Sequence, residues 1–171
     1  MKIKDYIPNF FTLLNLTFGV LAIIYIFYGN YYMSSLLILI AALSDRFDGK
    51  LARKFEATSC IGKELDSLCD LISFGVAPTV LVWNMRLIDI GVIGIIITVL
   101  YTISGAYRLA RYNTMEFDGI YYGVPITMAG GIIAIVALYN IKYNINIYAL
   151  SSLMLLLSYA MISTKIKLKK R

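Results

Sequence analysis

The chain has 171 residues, 60% hydrophobic and only 15% charged, with 16 Lys and Arg, 10 Asp and Glu, and no histidine. A soluble domain of this size carries about 25% charged residues, so the composition excludes an ordinary soluble protein and indicates a membrane-embedded one. The apolar runs are continuous rather than alternating, which argues against a transmembrane β-barrel.

In chain order, Met1–Asn9 reads as a basic, aromatic lead-in lying along the membrane surface. Six apolar spans follow, each near the roughly 20 residues that a bilayer requires. They run over Phe10–Tyr28, Tyr31–Ala52, Gly62–Met85, Ile90–Tyr112, Pro125–Tyr139 and Asn146–Ser163. The first lacks a small-residue cleavage site after a short apolar core, so it is expected to be retained rather than removed as a signal peptide. Residues 164–171 form a basic tail. The expected fold class is therefore all-α integral membrane, with six transmembrane helices. No composition shift reads as a linker, so residues 1–171 are expected to form one membrane-embedded domain.

Six spans place both termini on one side, and the positive charges say which. Lys2, Lys4, Arg46, Lys50, Arg53, Lys54, Lys63, Arg108, Arg111, Lys165, Lys167, Lys169, Lys170 and Arg171 fall on the terminal side; only Arg86 and Lys142 fall opposite. The expectation is a multi-pass protein of the cell membrane with cytoplasmic termini. The tail "KIKLKKR" reads as an orientation signal touching anionic headgroups.

Four aspartates crowd one short stretch, "SDRFDGKLARKFEATSCIGKELDSLCD", Ser44–Asp70. At 100° per residue, Asp45, Asp48, Gly49 and Ala52 form one stripe of the second span, and Gly62, Asp66, Asp70 and Ser73 one stripe of the third. A short polar break joins the two helices, so they run antiparallel and their acidic stripes can face each other. A buried aspartate costs about 2.5–3.5 kcal/mol near mid-membrane, and four repel one another. Protonation or cations must offset this. Four convergent carboxylates are an all-oxygen site for Mg2+, Mn2+ or Ca2+. Their number suits two divalent cations about 3.5–4 Å apart. Gly49, Ala52 and Gly62 leave room beside the acids, and a two-ion cluster next to an Arg suits a diphosphate. Two other readings use the same residues: an ion-pair network with the neighbouring Lys and Arg, and a cation transporter using the acids as a permeation site. A transporter is disfavoured by the short chain and the lack of an inverted repeat.

The spacing D-x2-D-G-x2-A-R-x8-G-x3-D-x3-D, on Asp45, Asp48, Gly49, Ala52, Arg53, Gly62, Asp66 and Asp70, resembles the signature of the CDP-alcohol phosphotransferase family at all eight positions. The resemblance implies six transmembrane helices, a homodimer, and displacement of CMP from a CDP-linked donor by an alcohol. It implies that Asp45, Asp48 and Asp66 hold the metals with Asp70 near them, that Asp70 is the general base, and that Gly49, Ala52, Arg53 and Gly62 line the CDP pocket. "IPNFFTLLNLTFG", "DLISFGVAP", "YRLARYN" and "YYGVPITMAGG" resemble the branch of the family whose acceptor is L-serine. The likeness covers most of residues 7 to 131 and fades over the last 40 residues.

Within that frame, Asn9 and Thr12 are candidates to approach the nucleotide, although helix capping or packing accounts for them equally well. Free serine carries a carboxylate, for which Arg108, Arg111 and Lys63 are the candidate cations. The expected reaction joins CDP-diacylglycerol, or a donor with ether-linked CDP-archaeol-type tails, to L-serine on the cytoplasmic face. Glycerol 3-phosphate and inositol phosphate remain alternative acceptors, because arginine holds phosphate as well as carboxylate. No nucleic-acid partner is expected.

Overall fold

The computed structural model describes the backbone of residues 6–55, 60–114 and 120–169, and their side chains except those of residues 6–8, 48–60, 120, 121 and 167–169. The element order is α1 (Tyr6–Phe27), α2 (Tyr31–Phe55), α3 (Cys60–Asp70), a π-helical segment (Leu71–Val76), α4 (Ala77–Met85), a 3₁₀ turn (Leu87–Ile90), α5 (Val92–Thr114), β1 (Ile120–Tyr122), α6 (Ile126–Tyr143), α7 (Ile147–Ile162) and β2 (Lys167–Lys169). The expected all-α architecture holds. Among the described residues, α3, the π segment and α4 run on as one rod, so the helices make six rods.

Asn9–Phe27, Ile61–Met85, Val92–Thr114 and Ile126–Tyr143 are each long and apolar enough to cross a bilayer, and Ile147–Ile162 is a shorter apolar helix. Helix α2 is uncharged from Tyr31 to Ser44 and charged beyond. The protein is thus a multi-pass membrane protein. Several boundaries differ from expectation. Helix α1 begins at Tyr6, inside the segment expected to lie on the surface, while residues 1–5 fall outside the description. Helix α6 runs four residues past Tyr139 to Tyr143, where Asn144 takes the left-handed conformation. The Asn140 side chain there accepts from the Ile145 amide at 2.8 Å.

The π segment is the hub. Helices α1, α4, α5 and α6 all pack against it. Pro78, in the first turn of α4, has no N–H to offer the Phe74 carbonyl four residues before it. Such a carbonyl costs several kcal/mol in lipid unless it is satisfied. The Tyr101 hydroxyl, fully buried on α5, meets the Phe74 carbonyl at 3.4 Å, and the Thr79 hydroxyl lies 2.8 Å from both the Gly75 and Val76 carbonyls. Small residues bring the neighbours close. Gly19 of α1 lies against Ser73, and Gly130 of α6 lies against Phe74 so tightly that an added Cβ would sit 2.8 Å from the Phe74 backbone. Around this crossing, Phe74, Leu81, Ile126, Ile133 and Tyr101 form the centre of the core.

The tail carries a feature the sequence pattern did not suggest. β2 pairs antiparallel with β1, Ile120 opposite Lys169 and Tyr122 opposite Lys167. The Gly123 amide extends the pairing to the Ile166 carbonyl at 2.9 Å. Gly123 has φ 78°, and a side chain there would strike the Met161 carbonyl at the end of α7. The basic tail is therefore fastened beside the end of α5.

Replacing Gly130 by Val should lower the thermal midpoint in detergent, with a destabilisation of about 1–3 kcal/mol from overpacking. Gly131→Ala, on the next residue with nothing within 4 Å of the new Cβ, should match the parent or exceed it slightly.

Candidate active site

Three of the four aspartates come together. One carboxylate oxygen each from Asp45 on α2 and Asp66 and Asp70 on α3 lies within 4.8 Å of the others. Asp70 is 6% exposed and the other two are half-buried. The four-residue spacing from Asp66 to Asp70 places both on one face of α3, one turn apart. Asp45 comes to them from α2. The side chains of Asp48, Gly49, Ala52 and Arg53 lie outside the described residues.

Three neighbours hold this cluster. The Thr127 hydroxyl, in the first turn of α6, donates to the Asp45 carboxylate, and the Asp45 carboxyl also contacts that of Asp70. The N-terminus of α6 favours negative charge nearby. From α1, Asn15 donates through Nδ2 to Asp70 Oδ1 at 3.0 Å. From α5, the buried guanidinium of Arg108 acts on Asp70. All these residues lie on the chain segments near one end of the bundle: the first half of α1, the second half of α2, α3, the end of α5 and the start of α6.

Arg108 and Asp70 offset each other. Asp45 and Asp66 remain mutually repulsive at this separation. Hard, divalent cations with oxygen ligands fit such a donor set. The carboxylates thus suit the cations that the sequence implied.

The remaining candidates divide. Thr12 is buried and Asn9 half-buried, both on α1. Gly62 is half-buried one turn before Asp66. Lys63 is exposed; its ammonium donates to the Asn113 carbonyl at 3.2 Å and lies 5.7 Å from the Tyr112 ring centroid. It ties α3 to the end of α5. Asn113 reinforces the tie through Ser67 at 2.9 Å and Glu64 at 3.3 Å. Arg111 donates to the Ile162 carbonyl at 2.8 Å and the Tyr122 carbonyl at 3.2 Å. Its fork thus braces the end of α7 and the β ribbon, while Arg108 points into the bundle and leaves its buried Nε–H unpaired among protein groups. Asn15 and Thr127 were not among the residues expected at the site. Their segments were singled out, but a lone polar residue in an apolar helix carries no spacing signal of its own.

The fold and the site thus define a helical membrane protein with convergent carboxylates at one end of its bundle. The profile of the CDP-alcohol phosphatidyltransferase family matches residues 5–164. The chain belongs to that family, and is accordingly a membrane transferase of phospholipid biosynthesis. It is similar to the CDP-diacylglycerol–serine O-phosphatidyltransferase of Bacillus subtilis (strain 168), with 38% identity over 95% of this chain and 89% of that protein. The enzyme so named from Methanocaldococcus jannaschii is 34% identical over 99% of this chain and 75% of its own length. An archaetidylserine synthase of Methanothermobacter thermautotrophicus is 36% identical over 75% of this chain, which spans 57% of that protein.

Arg111→Ala should lower the thermal midpoint by a few degrees through loss of two carbonyl contacts, each worth about 1 kcal/mol or somewhat more. Turnover per folded molecule should stay within about threefold of the parent. Differential scanning fluorimetry and a transfer assay on the same preparation check both parts.

Proposed function

We propose that the protein transfers a phosphatidyl group from CDP-diacylglycerol to L-serine, releasing CMP and forming phosphatidylserine. The observation that carries this reading is the Asp45–Asp66–Asp70 cluster with Arg108 beside its most buried member. The named activities of the relatives, all with serine as acceptor, support the same choice.

In this reading Asp45, Asp48 and Asp66 would hold two divalent cations, with Asp70 near them. Mg2+ or Mn2+ held there would supply positive charge for the diphosphate and for the departing CMP. Gly49, Ala52, Arg53 and Gly62 admit the CDP moiety, with Asn9 and Thr12 approaching from α1. The lipid tails enter sideways from the bilayer. Both diacyl and ether-linked tails suit such an opening, in keeping with an archaetidylserine synthase among the relatives.

Asp70 takes the proton from the serine hydroxyl. The hydroxyl oxygen forms a bond to the phosphorus adjoining the diacylglycerol, and the bond from that phosphorus to the CMP oxygen breaks. Arg108 holds the serine carboxylate through a forked contact; its unpaired Nε–H is an available donor for it. Arg111 and Lys63, engaged with backbone carbonyls, keep the surrounding helices in place. The termini and the site face the cytoplasm, following the distribution of Lys and Arg, and the working unit is a homodimer.

The test is CMP release in detergent from CDP-diacylglycerol and Mg2+ or Mn2+, with serine, glycerol 3-phosphate and inositol phosphate offered in turn. Serine should support release and the other two should not; release with glycerol 3-phosphate instead would overturn the acceptor assignment. Asp70→Asn should reduce turnover at least about 100-fold, the usual scale of a general base. Asp66→Asn should likewise be inactive while remaining folded.

Arg108→Ala should lower kcat/KM for serine by about 10- to 100-fold, the loss of a charge-assisted contact. The KM for CDP-diacylglycerol should stay nearly constant. An unchanged serine dependence would remove Arg108 from the acceptor site.

A further inference from the structure

The geometry points to Asn15 as the residue that positions Asp70 for proton transfer; this rests on the reading of Asp70 as the base. Asn15 sits in the middle of α1 with no exposed surface. Its amide nitrogen donates to Asp70 Oδ1 at 3.0 Å. Its amide oxygen, equally buried, has no hydrogen-bond partner in the protein. A buried carbonyl left unpaired is destabilising, and a leucine, larger but branched in the same way, would avoid that penalty. The amide therefore needs a purpose other than packing. Turning it over would aim its oxygen at the Asp70 carboxylate, so the donor side must face Asp70.

Holding α1 in place does not require this amide. The crossing is secured by the Ser73 hydroxyl, which donates to the Asn15 backbone carbonyl at 3.0 Å, and by Gly19, which lets Ser73 approach. Both contacts use backbone groups of α1 that survive substitution of the Asn15 side chain. What the amide adds is a fixed rotation of the Asp70 carboxyl about its last side-chain torsion, a torsion that is otherwise broad. A base that has already been aimed avoids the loss of rate that a misplaced reacting group brings.

Three variants test this by steady-state kinetics in detergent. Asn15→Leu should lower kcat by about 10-fold or more, with KM for serine and for CDP-diacylglycerol within about twofold of the parent. Asn15→Gln, which keeps an amide on a longer stem, should recover part of the loss. Ser73→Ala, which weakens the same helix crossing without touching the amide, should lower the thermal midpoint yet keep kcat within about twofold. Should Asn15→Leu fail to fold, Asn15→Ala carries the same comparison. The inference is overturned if the apolar variant keeps more than half of kcat, if its loss lies in KM, or if Ser73→Ala loses kcat equally. Asp70→Asn separates the two ideas: retained turnover there refutes the base itself, whereas an inactive Asp70→Asn beside an undiminished Asn15→Leu refutes only the positioning.

Discussion

Repulsion among carboxylates in a medium that resists charge is the constraint on which this structure depends. Asp45, Asp66 and Asp70 are brought within one ion's reach of each other. Left alone they would separate, protonate or pull water into the bundle. They remain together because the helices that carry them are clamped by other forces. The Thr127 hydroxyl and the α6 N-terminus support Asp45, and Asn15 and Arg108 support Asp70.

The clamp is built where backbone hydrogen bonding is most difficult. A π turn directly after Asp70 is followed by Pro78, which has no N–H to offer inside the membrane domain. Tyr101 answers the Phe74 carbonyl, and Gly19 and Gly130 let α1 and α6 close on the same turn. The irregularity thus has a use. It lets residues of three other helices approach the rod just below its last aspartate, in the manner of π bulges at functional sites. Farther out, Lys63, Asn113 and Arg111 tie α3, α5, the β ribbon and α7 together around the mouth of the bundle.

The aspartate pair of α3 and its partner on α2 were legible in the chain because helical periodicity alone sets which acids share a face. The rods were legible from hydropathy, apart from their ends. Asn15 and Thr127 were not, since their value comes from helices that meet only in the folded bundle. The roles of Arg108 and Arg111 could not be separated by sequence either: three residues apart on one helix, both obey the positive-inside pattern, and only tertiary contact sends one inward and the other to the α7 carbonyl. The short ribbon joins residues more than 40 positions apart, and three-residue strands carry too little alternation to read.

The central claim is that the convergent carboxylates form a two-cation site. Equilibrium Mn2+ binding followed by electron paramagnetic resonance on the detergent-purified protein tests it most directly. The account predicts two Mn2+ per chain in the presence of a CDP-lipid, with the spin-coupled spectrum of ions about 3.5–4 Å apart, and loss of the coupled signal in Asp66→Asn. Retention of that signal in Asp66→Asn, or wild-type protein that binds no Mn2+ or a single uncoupled ion, would contradict it.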